Sequence, residues 1–254
     1  MAHNYAFTYV IGYRHRIDRL QNLRRVLDWI NGFSGAEVII VEQDKHSKIS
    51  HLNLKAKHIF IKSNLPYNRS WSFNVALKSS NSSVIVFGDS DLIMEPNQFI
   101  AGLQALQTYE MVSPYHTVVD LTPSETGLPM EEVVKIERPG RGETDNQKIN
   151  ISGGISMFRK ESISKIAGWN EDFIGWGGED DYQTLKVHNF LSWTELRAKC
   201  YHLYHDKEQP EMKWYQRNLD LLKKTSQMDK SQLQKVIFNQ LPKIGMKNKY
   251  DNFI

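Results

Sequence analysis

Hydrophobic positions along the first part of the chain alternate between two periods. Ala6 to Gly12 is a short β-prone run, and Ile17, Leu20, Leu23, Leu27 and Ile30 then recur three or four residues apart. That spacing predicts one face of a helix closing near Gly32. Glu37–Val41 and His58–Ile61 read as two further strands, and Asn68–Leu77 as a helix. Val84–Phe87 is a continuous apolar run of the buried-strand kind, followed by a turn and by Pro96, well placed as the first residue of a helix through Leu106. Such alternation of strand and helix predicts an α/β fold, with a Rossmann-like, mainly parallel sheet flanked by helices.

The pattern changes at Thr122. Thr122–Asn150 carries three prolines, three glycines and many charges without periodicity, which predicts a long functional loop or lid. Ile155–Phe158 resumes as a strand, Glu161–Ala167 as a short helix ending at Gly168, and Arg197–Tyr204 as a late strand. From Pro210 the chain is mostly charged helix. The expected organisation is one domain over residues 1–209 and a helical tail, 210–254, packed on it.

Composition narrows the function. Lys and Arg number 32 against 29 Asp and Glu, a net charge of +3. No polybasic block points to nucleic acid, while an anionic small ligand remains compatible. The lone Cys200 excludes an intrachain disulfide. No signal peptide or spanning apolar segment is evident, so a cytoplasmic protein, peripheral to a membrane at most, is expected.

Four clusters carry candidate chemistry. VIVFGDSDLIMEP places Asp89 and Asp91 just beyond a strand, where open parallel sheets bind ligands. Alternate residues share a face, and hard carboxylate oxygens suit Mg²⁺ or Mn²⁺, which can neutralise a diphosphate. An ordinary turn explains the tetrapeptide GDSD equally well. In FIGWGGEDDYQTL, Trp176 offers a face for a sugar ring and Gly177 and Gly178 allow close approach. Glu179, Asp180 and Asp181 would open a helix whose positive end favours carboxylates. Their mutual repulsion can raise one proton affinity and prepare a general base, although acids at a helix start are common without function. His202 and His205 in YHLYHDKEQP stand at the end of a strand, where one imidazole could complete a site begun by Asp91; a regular strand would not aim both the same way. Arg14, Arg16 and Arg69 are possible phosphate partners or surface charges.

In combination and order, IGYRHR, YNRSWSFNVAL, VIVFGDSDLI, ISGGISMFRK, GWNEDFIGWGGEDD and HLYHDK resemble one family. It is the galactosyltransferase-like glycosyltransferases of the GT-A fold, which include the beta-1,4-galactosyltransferases and the galactosamine-transferring domains of chondroitin polymerases. The resemblance runs over about residues 8–206. It implies an inverting, Mn²⁺- or Mg²⁺-dependent transfer of a sugar, galactose or N-acetylgalactosamine first, from a UDP-sugar donor to a glycan acceptor hydroxyl.

Residue by residue, the resemblance assigns Arg14, Arg16, Arg69 and Asp89 to the nucleotide side. Asp91 becomes a metal ligand, with His205 the better histidine match and His202 next. Trp176, Gly177, Gly178, Asp181 and Gly154 fall on the substrate side, Glu179 on sugar hydroxyls and Asp180 on the acceptor-activating base. Two departures bear on acceptor identity and uracil binding: Tyr182 stands where the beta-1,4-galactosyltransferases have a third aspartate, and Gly12 and Tyr13 where they have Pro-Phe. The alternatives are a retaining polypeptide galactosaminyltransferase-like enzyme, whose similar turn has an amide after the glutamate, and a non-catalytic carbohydrate-binding module.

Overall fold

The computed structural model describes residues 6–142, 151, 153–207 and 209–250. In chain order the strands are β1 (Phe7–Tyr13), β2 (Ala36–Asp44), β3 (Lys57–Lys62), β4 (Val84–Gly88), β5 (Leu92–Met94), β6 (Met111–Ser113), β7 (Thr117–Asp120), β8 (Ser156–Arg159), β9 (Trp193–Glu195) and β10 (Lys199–His202). The helices are α1 (Ile17–Ile30), α2 (Arg69–Ser79), α3 (Pro96–Ala105), α4 (Met130–Val133), α5 (Lys160–Lys165), α6 (Glu179–Phe190), α7 (Met212–Ser226) and α8 (Lys230–Gln240).

A seven-stranded sheet runs in the order β3-β2-β1-β4-β8-β6-β9. β1 pairs in parallel with both β2 and β4, while β8 runs antiparallel to β4 and β6. Alternating side chains of β1 feed two cores. Phe7, Tyr9, Ile11 and Tyr13 pack with Leu23, Val26, Leu27 and Ile30 of α1 and with Phe99 of α3. On the other face, Val10 joins Trp71, Phe73 and Leu77 of α2, Tyr182 of α6 and Leu233 and Ile237 of α8. Two-sided burial of this kind is what a parallel sheet requires.

Asn68 caps α2, its side chain accepting from Trp71 N. Every residue from Ser70 to Leu77 is buried, so the helix has no polar face and its sequence no clear period. α7 and α8 lie against the domain, with Asn218, Thr225, Leu233 and Ile237 buried.

A second, three-stranded sheet, β5-β10-β7, was not apparent from the sequence. β10 sits antiparallel to β5, with His202 opposite Leu92, and parallel to β7, with His202 opposite Asp120. The described part of the expected loop, 122–142, is anchored: Val133 is fully buried, Arg138 Nη1 donates to Asp120 O at 2.9 Å, and Arg141 bridges to Val118. Residues 143–150 lie outside the described residues. Among the described residues no helix is long and apolar enough to cross a membrane.

Candidate active site

The site forms at the carboxyl ends of β1 and β4, the neighbours where the order of the sheet turns back on itself. Two groups of side chains meet there, joined by the short turn between β4 and β5.

The first group surrounds Arg69 on the opening turn of α2. Its Nε stands 3.0 Å from Asp89 Oδ1, and its Nη1 lies 2.5 Å from Asp180 Oδ1 and 3.9 Å from Glu179 Oε1. The guanidinium carbon sits 4.9 Å from the Phe73 ring centre and 5.2 Å from that of Trp169. Guanidinium tolerates such aromatic surroundings because it is weakly hydrated and delocalised. The three carboxylates raise its proton affinity despite burial.

Burial acts on the acids in the opposite direction. The Asp180 carboxyl is pushed up to about 7 by burial, opposed by Arg69 and reinforced by Glu179 and Asp89. Glu179 is also raised, first by burial, and its Oε2 is buried without a hydrogen-bond partner among the described residues. Such an orphaned acceptor is costly unless a ligand hydroxyl or water satisfies it.

Gly154 closes this group. Its N–H donates to Asp89 Oδ2 at 2.9 Å, and Tyr115 Oη donates to Gly153 O at 2.9 Å. At Gly154 φ is +91°, and a Cβ there would fall 1.9 Å from Tyr115 Oη, so both conformation and space demand glycine. Tyr115 is a site residue that the sequence did not reveal, since a tyrosine between two three- to four-residue strands carries no signal.

The second group is Asp91, His202 and His205, whose candidate ligand atoms all lie within 4.8 Å of one another. His202 Nε2 is 3.9 Å from Asp91 Oδ1 and His205 Nε2 is 3.4 Å from Asp91 Oδ2. Each opposite ring nitrogen is held: His202 Nδ1 by Asp120 Oδ1 at 3.0 Å and His205 Nδ1 by Asp206 O at 2.9 Å. Fixing Nδ1 turns Nε2 towards a metal, the usual arrangement of a ligating imidazole. Burial, and then Asp89, raise the Asp91 carboxyl. One carboxylate with two imidazoles suits Mn²⁺ better than Mg²⁺, which prefers oxygen.

The expectation that only one histidine would face Asp91 is corrected. β10 ends at His202, and although Leu203 N still follows the β5 register by donating to Asp91 O at 2.8 Å, Tyr204 N donates to Thr126 Oγ1 at 2.8 Å; the chain leaves strand geometry there, and His205 lies on the same side as His202.

The remaining predicted residues divide. Gly177 and Gly178, both with positive φ, form the turn before α6, and Trp176 is 64% exposed beside it. Asp181 is exposed and stands outside the Arg69 group among the described contacts. Tyr182 is buried against Phe173. Arg14 spends its donors on Gln43 O and Leu65 O, and Arg16 contacts Asp18; both follow β1 at the edge of the site.

Comparison with known proteins adds the following likenesses. A family model described as the N-terminal domain of galactosyltransferase matches residues 143–206, which contain Gly154, the Trp176–Asp181 stretch and both histidines. Beta-1,4-galactosyltransferase 5 of Danio rerio is 30% identical over 122 residues, covering 46% of this chain and 26% of that protein. The match therefore spans about a quarter of the relative's length. Drosophila beta-1,4-galactosyltransferase 7, as a variant in complex with manganese, UDP-Gal and xylobiose, superposes with a TM-score of 0.53 at 14% identity, over 82% of this chain and 78% of that one. GalNAc-T7 with UDP, GalNAc and Mn²⁺ reaches 0.60 at 13% identity, over 98% and 56%. At these identities the structural likeness concerns the fold, which is GT-A. The chain is similar to the galactosyltransferase-like members of that fold.

Proposed function

We propose that this chain is a metal-dependent glycosyltransferase that moves a sugar from a UDP-sugar to a hydroxyl of a saccharide acceptor, with inversion at the anomeric carbon. Galactose or N-acetylgalactosamine is the transferred sugar in this reading. Residues 1–209 would be the catalytic unit and 210–254 a tail upon it, working in the cytoplasm or at a membrane periphery. The observation that carries the reading is Asp180, a buried carboxyl raised to about 7 and held through one oxygen by Arg69, which also pairs with Asp89, two residues before Asp91 and its pair of imidazoles. Mn²⁺ with UDP in two structurally similar enzymes supports the same reading.

Asp91, His202 and His205 would hold the cation, which when bound supplies counter-charge to the departing diphosphate. Arg69 occupies Asp180 Oδ1, leaving Oδ2, which lies towards Gly153, to take the acceptor proton. As the acceptor oxygen bonds to the anomeric carbon, the bond from that carbon to the UDP oxygen breaks on the opposite face, and the proton passes to Asp180. Glu179 Oε2, buried and unpartnered among the described residues, accepts from a sugar hydroxyl. Trp176 provides the apolar wall. A carboxylate at position 180, rather than an amide, favours inversion over retention.

The test is UDP release from a panel of UDP-sugars with Mn²⁺, with and without mono- and disaccharide acceptors, and NMR of the product linkage. Acceptor-dependent release with inverted configuration is expected. Retained configuration would remove Asp180 as base, and saccharide binding without release would leave a binding module.

A further inference from the structure

The Trp176 indole does not stand alone. Tyr215, on the first turns of α7, stacks on it with ring centres 5.5 Å apart and planes 27° apart. Gly177, next to Trp176, makes room for this: φ is +102°, and a Cβ there would meet Tyr215 Cδ2 and Cε2 at 2.9 Å. One turn further along α7, Asn218 Nδ2 donates to Ile174 O at 3.0 Å and to Trp176 O at 3.3 Å. A single helix thus grips both the backbone of the turn and the face of its aromatic side chain.

A tryptophan 64% exposed has little packing of its own to select a rotamer. Covering one face with Tyr215 fixes the plane and leaves the other face open. From these contacts we propose that Tyr215 is a positioning residue that fixes the Trp176 indole as one wall of the acceptor subsite, so that α7 is part of the acceptor site. The ligand is a pyranose presenting its apolar C–H face, a class that stacks on a preset aromatic plane. The inference rests on the transferase reading for its acceptor and on geometry alone for the positioning. Tyr215 and Asn218 both lie beyond residues 143–206, the stretch that carries the family likeness.

The experiment uses full-length protein labelled with 5-fluorotryptophan, the Trp176 ¹⁹F resonance being identified by its loss in W176F. Tyr215→Ala should shift or broaden that resonance, and Tyr215→Phe, which keeps the ring, should restore it. In transfer assays Tyr215→Ala should raise the acceptor KM about 3- to 10-fold, as expected for one aromatic pair. Donor KM, Mn²⁺ affinity and Tm should stay near wild type, and Tyr215→Ala should add nothing in a Trp176→Ala background. An unmoved Trp176 resonance in Tyr215→Ala would overturn the positioning, and an unchanged acceptor KM would overturn the acceptor wall. If wild type transfers no sugar, the transferase reading fails separately. Lactose and N-acetylglucosamine then decide: a Trp176 shift present in wild type and lost in Tyr215→Ala supports the wall, and no shift in wild type overturns it.

Discussion

Arg69 Nη1 lies 2.5 Å from Asp180 Oδ1, while Nε of the same guanidinium stands 3.0 Å from Asp89 Oδ1. One buried cation therefore joins the acid after β4 to the acid that opens α6. These elements are more than 80 residues apart in sequence, and the pairing ties the turn after β4 to the first turn of α6. Arg69→Met would leave three carboxylates facing each other without a counter-charge. Removing one partner of a buried ion pair costs about 3–5 kcal/mol, and a loss of that order is expected in urea unfolding. Arg69→Lys keeps the charge without the fork, so it should recover much of the stability but little of the transfer rate. Wild-type stability in Arg69→Met would mean that the acids do not depend on this cation.

Asp180 should set the pH profile. As a base it works when ionised, so transfer should rise with pH through about 7 and then level. Asp180→Asn should remove that limb and lower the rate by about 10² to 10⁴ while leaving UDP and Mn²⁺ binding in place. Stability follows the same group with the opposite trend. A folded pKa above the ordinary aspartate value of 3.8 means that the native state holds the proton more tightly, a contribution full below 3.8 and lost as pH rises through about 7. Unfolding free energy of wild type relative to Asp180→Asn should fall over that window and stay flat above it. A rate profile unchanged in Asp180→Asn would move the base to another carboxylate, Asp181 first.

Both imidazoles face Asp91, so His202→Ala and His205→Ala should weaken Mn²⁺ binding comparably, and Asp91→Ala severely. Asp120 holds the outer nitrogen of His202, and Asp120→Ala should cost about 10- to 100-fold in metal affinity, the usual effect of losing such an orienting partner. Calorimetric titration with Mn²⁺ in the presence of UDP measures all four. A histidine variant that binds like wild type would not be a ligand, and full transfer in excess chelator would dismiss the metal altogether.

Much of this site was legible because it is written in contiguous runs. GDSD follows an apolar strand, GWGGEDD opens a helix, and both motifs keep their members within a few residues. The strands and helices of the first α/β units were legible for the same reason, their hydrophobic periods extending over enough residues to count. β5, β6, β7 and β9 were not: three or four residues carry at most two alternations, and of the strands this short only β8 and β10 were read. Missing β5 and β7 meant missing why His202 and His205 converge: the sheet that sets them against Asp91 is made of those short strands. For Arg69 the sequence offers a phosphate partner or a surface charge, since nothing local shows that acids following β4 and opening α6 stand beside it. Tyr115 and Tyr215 were invisible for that reason too, their roles being contacts across the fold.

The tail offers a last test of how the site is held. Glu171 lies two residues before Phe173, at the base of the loop that carries Trp176, and its side chain is fully buried. Its Oε1 accepts from Asn74 Nδ2 at 2.8 Å and from Gly245 N at 2.5 Å, and its Oε2 pairs with Lys249 Nζ at 2.8 Å. Tyr250 Oη and Asn68 Nδ2 both donate to Glu171 O, at 2.6 and 2.7 Å. The carboxyl is raised first by burial, with Lys249 the largest opposing influence. Lys249→Met should therefore leave a buried carboxylate with hydrogen bonds but no counter-charge. With Lys249 23% exposed, the destabilisation should fall at or below the lower end of the buried-pair range, about 2–3 kcal/mol near neutral pH. That penalty exists only while Glu171 is ionised. Loss of Lys249 raises its folded pKa further, so the difference between variant and wild type should shrink as pH falls towards the carboxylate range and grow as pH rises. Glu171→Gln combined with Lys249→Met, which removes both charges and keeps the amide for Asn74 or Gly245, should recover part of the loss. Urea unfolding of wild type and the two variants at pH 5 and pH 8 reads this out, and a Lys249→Met penalty independent of pH would show that the lysine acts by packing alone.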